Sequence, residues 1–405
     1  MKRYKIETER ADLFDVNMMI VMSVKIRQTA SKEQIESAFR NAVAAHEILN
    51  TRVVLMEDGE AYYEPYDAAK NRLSFTNLSI VELVEEQERI RFRVEEGEYL
   101  RVFAVETDTA EFYLHFLMHH LGGDGKSLCY FIESFLRSLN GEQLHLRELI
   151  LLNADTLPKR SRPPFATRLF VKKCNSNWKK EKRVLTFTDM ERVYQKFWET
   201  HRTQLQFEKI GEEELSSIRQ QCHKKRIGFT SYFLAEQLRE NRQWKNIGLA
   251  VDGRLQKNRS MGNQVTGISF RYRYNHRKTL LDNAAAIDRK MKRLLSSMWL
   301  KYFILHFVAG LDPTLVDAVN LEYTGDFHSK TSDKIAGLLG YGRNTKDLSL
   351  TNLTVLDIPV DYGRYHIASF WFIPPVVSYG KNVMGIVTVN GRAYITKHQY
   401  VNNEH

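Results

Sequence analysis

The segment His119-His120-Leu121-Gly122-Gly123-Asp124-Gly125 reads HHxxxDG and separates two stretches of different periodicity. Before it, Glu111-Phe112-Tyr113-Leu114-His115-Phe116-Leu117-Met118 is apolar and aromatic over the length of one strand, the pattern of a buried strand. Alternation puts Phe112, Leu114, Phe116, Met118 and His120 on one face and turns His119 to the other. After it, Leu128, Phe131, Ile132, Phe135, Leu136 and Leu139 recur at helical spacing until Asn140-Gly141 stops the run, so an amphipathic helix follows. Gly122, Gly123 and Gly125 permit a sharp turn and a close approach of backbone to substrate. A strand-to-helix corner presenting one imidazole is the expectation.

Around this corner lie 405 residues, too many for one ordinary core and suited to two lobes. A hydrophobic content of 43%, with 22 Phe and 19 Tyr, supplies ample core. The longest membrane-span candidate, residues 298–309, is interrupted by Lys301 and His306. No apolar h-region follows the first residues, so no secretory signal is read and a cytoplasmic location is expected. Cys129, Cys174 and Cys222 are widely spaced and free of CxxC pairs, which argues against a disulfide framework or a thiolate zinc site. The net charge of +10 is concentrated: residues 159–183 hold ten basic residues and one acid, Glu181. Pro158, Pro163 and Pro164 mark the start of this stretch as a connection. The expected division is therefore an N-terminal lobe over residues 1–158, a basic inter-lobe connection over 159–184 and a C-terminal lobe over 185–405. The charge run reads as a solvated face or as a surface for phosphates, an acidic partner or anionic lipid. Phe165, Leu169, Phe170 and Trp178 among the cations keep membrane-surface contact open. No nucleic-acid-binding module accompanies the charges, so no nucleic acid is expected.

Strands are expected near residues 17–26, 50–56, 61–64 and 100–106, with Asp58-Gly59 turning a hairpin. Ser31-x-x-Gln34 opens a helix with Ile35, Phe39, Ala42 and Val43 on one face, and residues 80–93 form a charged helix. In the second half, strands are read at 203–209, 246–251, 261–274, 348–356, 366–372, 383–389 and 393–396. Helices are read at 212–225, from 228 onward and at 279–298. The order is mixed α/β, without a Rossmann or P-loop glycine pattern and without solenoid repeats.

HHxxxDG resembles the signature of the CoA-dependent acyltransferase superfamily. That group includes chloramphenicol acetyltransferase, nonribosomal peptide condensation domains, polyketide-associated acyltransferases and the plant BAHD enzymes. Residues 44–52 resemble the condensation-domain RHxxLRT segment, with Ala45 and Asn50 in place of its arginines. Val251-Asp252-Gly253-Arg254 with Met261-Gly262-Asn263 is similar to the arginine-bearing strand and GN segment. Leu350-Thr351-Asn352-Leu353 resembles the SN-type strand, with Thr351 for serine. Asp361-Tyr362-Gly363 resembles the start of DFGWG, with Arg364 and Tyr365 departing from it. These segments run nearly end to end in the family's order.

The resemblance implies two chloramphenicol-acetyltransferase-like α/β lobes, each a mixed sheet with helices, forming a V-shaped pair with an active-site tunnel between them. Tyr302, Phe303 and Phe307 are candidates to shape that tunnel. The implied reaction is acyl transfer from a thioester to a hydroxyl or amine, with His120 as general base. A histidine suits that task because its ordinary pKa, ~6.5, leaves neutral base near pH 7. Asp124 and Arg254 are implied as a structural pair across the lobes, and His119 as structural. Gly125, at a helix N-terminus, and Asn352 are candidates to steady the oxyanion or position substrate. No metal site is expected, because His119 and His120 point to opposite faces. No bound cofactor is expected; acyl-CoA or a phosphopantetheinyl thioester would be co-substrate. Expected partners are an acidic carrier protein and a small-molecule or lipid alcohol or amine, with the chain a monomer in natural-product metabolism. Two alternatives stand beside this: a free-standing peptide condensation enzyme with carrier-bound substrates, and a catalytically silent recruitment module.

Overall fold

The structure is a computed structural model and describes residues 2–106, 110–325, 327–341, 345–377, 380 and 382–401. Two six-stranded sheets form its frame, beside a small three-stranded sheet. The first sheet runs Asp361–Tyr362, Tyr365–Ile373, Met19–Arg27, Glu111–His119, Leu100–Glu106, Arg72–Phe75. The second runs Val265–Tyr272, Lys245–Asp252, Leu348–Val355, Asn382–Val389, Arg392–Tyr400, Thr203–Ile210. The expected hairpin forms as Thr51–Leu55 against Ala61–Pro65, and Tyr4–Lys5 adds to its edge.

The motif strand Glu111–His119 is central to the first sheet, between Met19–Arg27 and Leu100–Glu106. Its Phe112, Leu114, Phe116 and Met118 are all buried, as alternation required. The motif helix Gly125–Leu139 packs on this sheet and on Lys32–Ala44, with Phe131 meeting Phe39 and Phe116 edge-on. The capping box at Ser31 and Gln34 forms as read. The charged helix ends earlier than its pattern suggested, covering Ile80–Gln87.

Among the described residues, three elements beyond residue 185 join the first lobe: Asp361–Tyr362, Tyr365–Ile373 and Phe187–Thr200. Tyr365–Ile373 pairs antiparallel with Met19–Arg27. The helix Phe187–Thr200 buries Met190, Val193, Tyr194, Phe197 and Trp198 in the first core. The crossing strand also ties the sheets together. Its Trp371 meets Phe207 and Tyr394 of the second sheet edge-on, and its Phe372 carbonyl accepts from Thr396 Oγ1 at 2.5 Å. Periodicity reports that a strand exists and which face is apolar; which sheet takes it is a long-range choice.

The stretch read as a connection carries a packed helix, Phe165–Trp178, entered through Pro163-Pro164. Trp178 is fully buried and donates from Nε1 to Thr314 Oγ1 at 2.8 Å. It belongs to a helical cluster with Phe307, Leu315 and Ile335. Among the described residues no single helix is long and apolar enough to cross a membrane.

Candidate active site

The motif strand stops at His119, and His120–Gly122 makes one 3₁₀ turn. Gly123 follows with φ +146°, and a β-carbon there would lie 2.2 Å from the Met261 carbonyl oxygen. Only glycine fits, so the chain turns sharply against the second lobe. Asp124 then caps the motif helix, its Oδ1 accepting from the Ser127 N–H at 2.9 Å.

The two histidines diverge. His119 is buried against Phe92, and its Nδ1 accepts from the Leu121 N–H at 3.2 Å. Burial, helped by His120, Arg91 and Arg101, pushes its pKa down to about 3. His120 turns instead to the second lobe, its side chain 17% exposed. Its Nδ1 lies 3.0 Å from Asn263 Nδ2 and 3.8 Å from Asp12 Oδ2. Among the described residues Nε2 has no hydrogen-bond partner.

Asp124 and Arg254 meet across the lobes. Arg254 Nη1 donates to Asp124 Oδ2 at 2.9 Å and Nη2 to Oδ1 at 3.0 Å. The carboxylate also accepts from the Gln264 N–H at 3.0 Å. Both side chains are almost wholly covered, at 5% and 6% exposed. Burial works to raise the Asp124 carboxyl, but the Arg254 charge and these hydrogen bonds outweigh it and hold it below the usual carboxylate range. Beside the pair, Lys126 reaches Asp252 at 3.0 Å, and Tyr130 donates to Asp357 at 3.1 Å. Tyr302 is buried and donates to the Gly253 carbonyl at 3.1 Å, which braces the Arg254 loop. Phe307 stacks on Phe303 and Phe170 within the helical cluster.

Asn352 lies on the second sheet, one residue before Leu353, which packs closely over Gly125. Its amide is occupied: Nδ2 donates to Thr230 Oγ1 at 2.9 Å, and Oδ1 accepts from the Thr354 N–H at 2.7 Å. The structure therefore gathers His120, Asp124 and Arg254 at the lobe junction and leaves Asn352 hydrogen-bonded elsewhere. It adds two residues that the sequence reading passed over as site members, Asp12 and Asn263. Gly262-Asn263 was visible as a GN segment; Asp12, in an irregular stretch, carries no periodic signal.

Three buried rings are held neutral: His46 and His119 at about 3 and His115 at about 4, burial being the first cause in each case. An unfolded chain takes up these protons near ~6.5, so each ring subtracts stability as pH falls from there toward the folded value. Ring NMR should show His46, His115 and His119 still neutral at pH 5. Titration of any of them near its ordinary value would show that ring to be open to water.

No family model matches the chain. Bacitracin synthase 2 from Bacillus licheniformis is 26% identical over 151 residues, covering 35% of this chain and 6% of that protein. Solved structures match far more of the length. Polyketide synthase associated protein 5 from Mycobacterium tuberculosis superposes with TM-score 0.65 at 13% identity, over 99% of this chain and 94% of that one. A trichothecene 15-O-acetyltransferase from Fusarium sporotrichioides gives 0.65 at 11%, over 99% and 91%. The first condensation domain of the CDA synthetase gives 0.63 at 11%, over 98% and 90%. The chain has the condensation-domain and acyltransferase fold. At these identities the likeness speaks for architecture, and it agrees with the two-lobed α/β arrangement expected from the order of motifs. In this condensation-like fold the HHxxxDG corner faces Arg254 and Asn263 of the opposite lobe.

Proposed function

We propose that the protein is an acyltransferase that moves an acyl group from a thioester to a hydroxyl or amine, with His120 as general base. The observation that carries this reading is the pose of His120. Its Nδ1 edge lies beside Asn263 of the opposite lobe and Asp12, and among the described residues Nε2 is unpaired at the lobe junction. An acceptor O–H or N–H would give its proton to Nε2 as the heteroatom attacks the thioester carbonyl, a contribution of roughly 10²–10⁴-fold. No protein nucleophile is needed, because the thioester is already activated. The carbonyl oxygen becomes an oxyanion, and the positive partial charge at the N-terminus of the helix that opens at Gly125 would steady it. Collapse expels the thiolate, which recovers the proton from the imidazolium. Asp124 and Arg254 hold the corner in register and take no proton in this scheme. Asn352, with both amide ends occupied, would need to leave Thr230 before it could touch substrate.

The donor would be acyl-CoA or a carrier-borne phosphopantetheinyl thioester. Purified protein should release thiol from one of them in the presence of an acceptor, and the choice between acetyl-CoA and an acylated carrier protein separates a CoA enzyme from a condensation enzyme. Thiol release that persists after His120 is removed would sink the base assignment. No release from either donor would favour a silent recruitment module.

The basic helix supports an anionic donor. Phe165, Arg168, Leu169, Lys172, Lys173, Lys179 and Lys180 are all exposed on or just after Phe165–Trp178. The lone acid of the stretch is turned away, Glu181 accepting from the Thr331 N–H at 3.3 Å. Lys182 is also spoken for, donating to the Asp58 carbonyl at 2.9 Å. Reversing Lys172, Lys179 and Lys180 to Glu should therefore raise the apparent KM for donor and leave kcat nearly unchanged. The effect should shrink with salt, as screening acts over ~8 Å at physiological ionic strength. Unchanged donor KM at low salt would mean that this face serves something else.

A further inference from the structure

Asp12 lies far from HHxxxDG in sequence, yet it is the carboxylate that the fold brings to the Nδ1 edge of His120. It ends the short turn Arg10–Asp12, and its side chain is 16% exposed. The turn is anchored from behind: Arg10 Nε and Nη2 donate to the two oxygens of Asp317 at 2.7 Å and 2.5 Å, fully buried. Asn263 stands between Asp12 and His120. Its Oδ1 accepts from the Val265 N–H at 3.1 Å, which orients the amide. Nδ2 then faces Asp12 Oδ2 at 2.7 Å and His120 Nδ1 at 3.0 Å.

This arrangement bears on where the ring proton resides. If the second Asn263 N–H is given to Nδ1, the neutral ring must carry its proton on Nε2. That tautomer presents a donor to the cleft and cannot take a proton there. A base at Nε2 needs the other tautomer, with Nδ1–H bonded to an acceptor. Asp12 Oδ2 lies 3.8 Å away, about 1 Å beyond a charge-assisted hydrogen bond. Such a bond, with an ionised acceptor, is stronger than a neutral one such as that from Asn263.

We propose that Asp12 is a positioning residue that selects the reactive tautomer of His120. It accepts Nδ1–H when the ring closes that gap, leaves the Nε2 lone pair facing the acceptor, and stabilises the imidazolium formed as the acceptor's proton arrives. Asn263 keeps the carboxylate in place through its other N–H. The inference rests on the general-base reading, but it can fail separately from it.

The test is ring-nitrogen NMR of the full chain labelled with ¹⁵N-histidine, with the His120 signals assigned by their loss in His120→Gln. The wild-type protein at neutral pH should show His120 protonated on Nδ1, and Asp12→Asn should move that proton to Nε2. Asp12→Glu, which keeps the carboxylate, should restore at least part of the Nδ1–H population. With acetyl-CoA as donor probe, Asp12→Asn should lower kcat roughly 10²-fold with donor KM little changed. A wild-type ring protonated on Nε2, or a tautomer indifferent to Asp12→Asn, overturns the proposal even if His120 proves to be the base. If Asp12→Asn fails to fold, the wild-type and Asp12→Glu spectra still decide it. Conversely, Nδ1–H in the wild type together with full activity in His120→Ala would sink the general-base reading and leave the tautomer selection standing.

Discussion

Replacing His120 by alanine should reduce acyl transfer by roughly 10²–10⁴-fold, with the thermal midpoint moved by only ~2 °C. The asymmetry follows from the environment of the ring. His120 is partly exposed at the lobe junction, and among the described residues its ring hydrogen-bonds only through Nδ1, at 3.0 Å from Asn263. His119→Ala should behave in the opposite sense. That ring is buried against Phe92 and satisfies the Leu121 N–H. Its removal leaves a cavity and an unpaired donor, about 3 kcal/mol together. Turnover assayed with the working donor, alongside denaturant unfolding, separates the two. Wild-type turnover in His120→Ala would end the case for a base at this position.

Breaking the Asp124–Arg254 pair on one side should destabilise the protein by ~3–5 kcal/mol, because the survivor is left charged and buried. Arg254 would keep Asp252 at 3.2 Å and Ser127 at 3.0 Å, so Asp124→Ala should be the better tolerated of the two in the guanidinium's surroundings. Arg254→Ala strands a carboxylate that still receives N–H bonds from Ser127 and Gln264. The double change Asp124→Leu with Arg254→Met should cost less than either single change, since it removes both charges. The pH dependence has a definite sign. The folded carboxyl is held below its unfolded value, so its contribution is complete above ~3.9 and is lost as pH falls through the folded value. Equilibrium unfolding in urea at neutral and acid pH measures all three effects. Near-neutral single changes that simply add in the double variant would show that the ion pair does not hold the lobes.

The corner itself was readable in one dimension, because each of its parts is local. Alternation predicted the buried face of Glu111–His119, helical spacing predicted Gly125–Leu139, and the glycines predicted the turn between them. Asp124 and Arg254 were visible as motif positions, their pairing only through resemblance, and that Asp124 also caps the helix emerges only in the structure. The helices that cover the central part of the second half, Phe303–Gly310, Pro313–Thr324 and Lys330–Leu339, were not read. In Phe303–Gly310 and Pro313–Thr324 the buried residues are spread around the helix, which blurs any single periodic face, whereas Lys330–Leu339 buries one short face that is half polar, Thr331 and Ser332 beside Ile335 and Ala336.

By itself, then, the sequence determined the element types, the faces that go inward and the presence of one imidazole at a strand-to-helix turn, since these depend on spacings of two to four residues. Tertiary structure alone decided what surrounds that imidazole. The strand Tyr365–Ile373 goes to the first sheet and not to the second, and the irregular turn Arg10–Asp12 is pinned by Asp317 more than three hundred positions away. Asn263 crosses from the other lobe to meet both Asp12 and His120. Such contacts are chosen by burial and by the pairing of charges taken out of water together, and neither leaves a period in the chain.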